Sequence, residues 1–107
     1  MADQKKTRRE MLEELVAKNP SDAFTRYGLA MECMNAGDAA AADAHFRYLL
    51  EHNASYVPAY LMYGQFLVRE ARGEDALKVL TSGIAAAEQQ RNEHARGEME
   101  SLLAEIS

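Results

Sequence analysis

The chain has 107 residues, 48% apolar and 27% charged, with a formal net charge of −5 and one cysteine. That length supports one domain around a single core. The acidic balance disfavours nucleic acid as the main partner, because phosphate binding depends on lysine and arginine, and the lone Cys33 excludes an intrachain disulfide and points to a reducing cytoplasm.

The opening "MADQKKTRRE" is charged with no apolar segment behind it, so no secretory signal is expected. No stretch approaches the roughly 18 apolar residues of a membrane span. Lys5, Lys6, Arg8 and Arg9 read as a solvated, frayed leader rather than a binding arm.

The remaining signals are helical throughout, and no β-strand is predicted. Thr7 followed by Glu10 forms a capping-box pattern. It opens a first helix that carries Met11, Leu12, Leu15 and Val16 on one side. "NPSD" at 19–22 ends it, since Pro20 disfavours helix in the residue before it. Ser21 or Asp22 can cap a second helix running to about Asn35. "AGD" at 36–38 reads as a tight turn, with Gly37 at positive φ and Asp38 as the next N-cap.

A third helix is expected from about Ala39 to Glu51, burying Ala42, Phe46, Leu49 and Leu50. Ser55 can cap a fourth, with Pro58 tolerated in its first turn. Gly73 marks the next turn, and a fifth helix turns Ala76, Leu77, Leu80 and Ile84 inward. "QQRNE" makes a corner before a last helix, whose Met99, Leu102, Leu103 and Ile106 form an amphipathic stripe.

An internal repeat overlies this pattern. "AFTRYGLAM" at 23–31 matches "AYLMYGQFL" at 59–67, pairing Phe24, Tyr27, Gly28 and Met31 with Tyr60, Tyr63, Gly64 and Leu67 at a spacing of 36. The following helices instead repeat at 34, Ala42 to Ala76 and Phe46 to Leu80. Two extra residues are therefore expected within "ECMNAGD". A helix–turn–helix unit recurring at about 34 residues marks an α-solenoid.

On these residues the chain resembles the tetratricopeptide repeat family. That pattern has a large residue, two spacers, a large residue and glycine, two spacers and a large residue. Its second helix has alanine followed four positions later by an aromatic, as in Ala42 and Phe46. The resemblance implies an all-α superhelix with a leader and capping helix at 1–20, repeats at 21–54 and 55–88, and a capping helix at 89–107. It also implies that Gly28 and Gly64 let the second helix of each pair approach closely.

The resemblance further implies a concave groove lined by first helices. Its expected residues are Thr25, Arg26, Leu29, Glu32 and Cys33 from one unit, and Leu61, Met62, Gln65, Val68 and Arg69 from the next. An apolar middle beside guanidinium groups suits a peptide or amphipathic helix. The lysine and asparagine clamp with which some family members hold chaperone C-termini is not present.

No catalytic constellation emerges, and no cofactor or metal is expected. His45, His52 and His94 lack ligand spacing, and His94 with Glu98 reads as a surface i,i+4 pair. Cys33 reads as a small packed hydrophobe. "NAS" at 53–55 has the form of a glycosylation acceptor, but a cytoplasmic chain does not meet that machinery. The expectation is a non-catalytic, cytoplasmic protein-interaction module, with no nucleic-acid or membrane partner. The alternative is a self-associating homodimer formed through apolar surface at the array ends.

Overall fold

The computed structural model describes residues 5–106. Six helices follow in order: α1 Arg8–Lys18, α2 Ala23–Asn35, α3 Ala39–His52, α4 Val57–Arg69, α5 Gly73–Gln89 and α6 Glu93–Ile106. No strand occurs among the described residues. Two compact units divide the chain, one closing at His52 and the other opening at Asn53.

In the first unit α1 packs on α2, and α2 on α3. The capping box starts α1 as the sequence predicts. Thr7 Oγ1 accepts from the Glu10 amide at 3.1 Å, and the Glu10 carboxylate accepts from the Thr7 amide at 2.9 Å. Arg9 ties α1 to the start of α3 through Asp38 at 3.0 Å. Asp38 caps α3, its Oδ1 accepting from the Ala41 amide at 3.2 Å. That bond, with Arg9 beside it, holds the Asp38 carboxyl below the usual carboxylate range.

In the second unit α5 packs against both α4 and α6, and α6 also touches α4. Its core includes Tyr60, Tyr63, Phe66, Leu67, Ala76, Leu80 and Met99, all buried. The buried residues of α5 are Ala76, Leu80, Gly83 and Ala87. Leu77 is 49% exposed, contrary to expectation, because it sits about 100° round the helix from Ala76.

The helix bounds correct the repeat spacing. Ala23 and Val57 start the first helices, Asn35 and Arg69 end them, and Ala39 and Gly73 start the second helices, each pair 34 residues apart. Both pairs join through one turn geometry. The Asp38 amide donates to the Cys33 carbonyl at 2.9 Å, and the Arg72 amide donates to Leu67 at 2.9 Å. No extra residues lie in "ECMNAGD".

The left-handed position of this turn is Gly37, φ 79°, in the first unit and Ala71, φ 59°, in the second. Gly73 is instead the first residue of α5. Ser55 likewise does not cap α4: Tyr56 holds the N-cap position, without a side-chain capping bond.

Candidate protein-binding surface

The two first helices differ in how well their sequence-predicted stripes survive. On α4, Tyr60, Tyr63, Gly64 and Leu67 are buried, as expected of the face that meets α5. A Cβ placed on Gly64 would lie 2.9 Å from Leu80 Cγ, so this glycine is a true contact point between paired helices. The other stripe remains accessible: Leu61, Met62, Gln65 and Val68 are half-buried, and Arg69 is exposed.

On α2 the assignment inverts. Leu29 is 1% exposed and Cys33 0%, so neither lines an open groove. Thr25 Oγ1 donates to Asp22 at 2.6 Å, and Glu32 pairs with Arg8 of α1 at 3.0 Å. Arg26 is directed at α3, with its guanidinium 3.8 Å above the Tyr48 ring and Nη1 3.3 Å from His45 Nδ1. Its Nη2 donates to the Pro20 carbonyl at 3.2 Å.

The residues assigned to the pair's interior lie elsewhere. Phe24 is 74% exposed, while Tyr27, Gly28 and Met31 are half-buried. Gly28 does not meet α3. A Cβ there would find Leu12 of α1 at 3.6 Å, an ordinary contact with room to spare.

A two-residue slip explains the inversion, since two helical residues turn the stripe by about 200°, nearly to the opposite side. In the 34-residue register, Leu29, Ala30 and Cys33 correspond to Tyr63, Gly64 and Leu67, and all six are buried. Ala30 supplies the small residue, and Phe24, Tyr27 and Met31 belong to the outer stripe. The signal was available in the second helices, whose alanine-to-large-residue pattern repeats at 34.

Cys33 is buried, and desolvation pushes its thiol up, so it stays protonated. His94 and Glu98 pair at 3.0 Å on the surface. No group of three or more potential metal ligands occurs among the described residues. No described helix is long and apolar enough to cross a membrane. An open depression on the second unit runs past Tyr60, Ser82 and Glu88, and the Tyr60 hydroxyl there is committed to the Ala54 carbonyl at 2.7 Å.

Comparison with known proteins gives one consistent reading. A TPR repeat-containing protein of Pseudomonas aeruginosa is 29% identical over 99 residues, covering 91% of this chain and 92% of that protein. The solution structure of a tetratricopeptide repeat domain protein from Salinibacter ruber is 30% identical with a TM-score of 0.77, over 83% of this chain and 90% of that one. A crystal structure of a tetratricopeptide repeat domain protein from the same organism gives 30% and 0.74, over 79% and 96%. A Bordetella parapertussis protein, 22% identical, shares the fold with a TM-score of 0.80 over 95% of this chain and 89% of that one. No family model matches the chain. With two helical pairs of identical spacing and turn geometry, and these relatives along most of its length, the chain belongs to the tetratricopeptide repeat family.

Proposed function

We propose that the chain is a non-catalytic, cytoplasmic protein-interaction module that engages a peptide or amphipathic helix through the outer stripe of α4. The observation carrying this reading is the apolar surface left on α4. Leu61, Met62 and Val68 stay half-exposed beside exposed Arg69, although the helix buries seven other residues. Such surface is adaptable and apolar, and the arginine adds a bidentate site for a carboxylate. A net charge of −5 favours protein over nucleic acid as the partner.

Titration of wild type, Leu61→Asp and Arg69→Glu against a panel of amphipathic peptides tests the reading. Peptides that bind wild type should weaken at least tenfold against Leu61→Asp. Equal binding to all three proteins would place the site elsewhere.

Self-association is the second reading, favoured by Met11 and Leu15 of α1, 48% and 51% exposed one helical turn apart. Sedimentation at micromolar concentration should then show a dimer that Leu15→Glu dissociates. A single 11.9 kDa species would exclude it.

A further inference from the structure

We propose that the α2–α3 contact of the first unit is a proton-operated latch, in which neutral His45 holds the Arg26 guanidinium over Tyr48 and protonation of the imidazole releases it. The geometry sets the protonation state. A guanidinium has donors only, so the 3.3 Å approach of Arg26 Nη1 to His45 Nδ1 is a bond only if Nδ1 is the unprotonated nitrogen. The ring is therefore neutral, with its proton on Nε2. A second proton on Nδ1 removes the acceptor and sets an imidazolium against a guanidinium.

The rest of the Arg26 environment makes the acceptor matter. The other contacts of its guanidinium are the Pro20 carbonyl and the face of Tyr48, which in turn stacks on His52 at 3.9 Å. Its Nε is buried without a hydrogen-bond partner. A cation so placed depends on each neutral acceptor it has. Losing His45 leaves one carbonyl and one ring to hold it.

Charges on three elements face His45. Arg26 of α2 and Arg9 of α1 oppose its protonation, while Glu13 of α1 and Asp38 at the head of α3 favour it. Burial and the two arginines prevail, and the imidazole titrates below its ordinary range. Arg9 is held by Glu13 and Asp38, so those carboxylates are already committed to a cation. The latch is closed at neutral pH and opens in mild acid.

The test is an NMR titration of the full chain from pH 8 to 5, following the His45 ring and the Arg26 Nε–H. The His45 midpoint should lie below the value of about 6.5 of a free histidine peptide. The Arg26 Nε–H signal should be lost with the same midpoint. His45→Gln keeps an acceptor that cannot titrate, so its Arg26 signal should persist through that range. Arg26→Met should raise the His45 midpoint, and if that variant does not fold, the wild-type and His45→Gln titrations decide. A His45 midpoint at or above the free value overturns the latch. So does an Arg26 signal indifferent to His45, or one lost at the same pH in His45→Gln.

Discussion

Gly28 and Gly64 carry the same neighbours in sequence, Tyr before and a large residue three positions on, yet they meet different surroundings. Alanine at Gly64 would press its methyl onto Leu80, which is fully buried and cannot swing away. Overpacking of that kind costs about 1–3 kcal/mol. Alanine at Gly28 meets only ordinary van der Waals distance to Leu12, so the gain in helix propensity, about 0.8–1 kcal/mol, stands unopposed. Urea unfolding should show Gly64→Ala with a lowered midpoint and Gly28→Ala with an unchanged or raised one. A destabilised Gly28→Ala would return that glycine to a tight helix contact.

Between helices, one turn is used three times with three different residues in its left-handed position: Gly37, Ala71 and Arg91. Each is followed by an amide bonded at 2.9 Å to a carbonyl five residues back, the arrangement that ends helices α2, α4 and α5. Glycine takes this conformation freely, whereas a Cβ there clashes with the adjoining carbonyl at a cost of about 1–2 kcal/mol. Ala71→Gly should therefore raise the urea midpoint, while Gly37→Ala lowers it, with opposite signs for changes at equivalent positions. The turn at 70–72 is invisible to a search for glycine. The nearby Gly73 attracts the prediction instead, although it opens α5. Tertiary packing of α4 on α5 overrides the local preference.

Across the whole molecule, the acid response should follow from His45. Its folded pKa is depressed, so the unfolded chain takes up the proton first. The contribution of this site is full above the unfolded value of about 6.5, and falls as pH drops through it toward the folded value. Thermal midpoints measured from pH 8 to 5 should decline more in wild type than in His45→Gln; parallel curves would show no linkage at this site. Asp38, its carboxyl depressed by Ala41 and Arg9, adds a second decline at lower pH.

Composition, capping residues and hydrophobic periodicity were enough to read six helices, their order and most of their ends. These are local properties: Thr7, Pro20, Gly37 and Asp38 act within a few residues of themselves. The alanine pattern of the second helices also carried the 34-residue period. What the linear chain left open was the face of α2 turned toward α3. The match of "AFTRYGLAM" to "AYLMYGQFL" points to one side, and packing selects the other. A helix reads nearly as amphipathic after a two-residue slip, and only contact with a neighbouring helix distinguishes the alternatives. The outer stripe of α4 was legible because its large residues outnumber what one face can bury. That of α2 was decided by tertiary structure, through the fit of Leu29, Ala30 and Cys33 into the core.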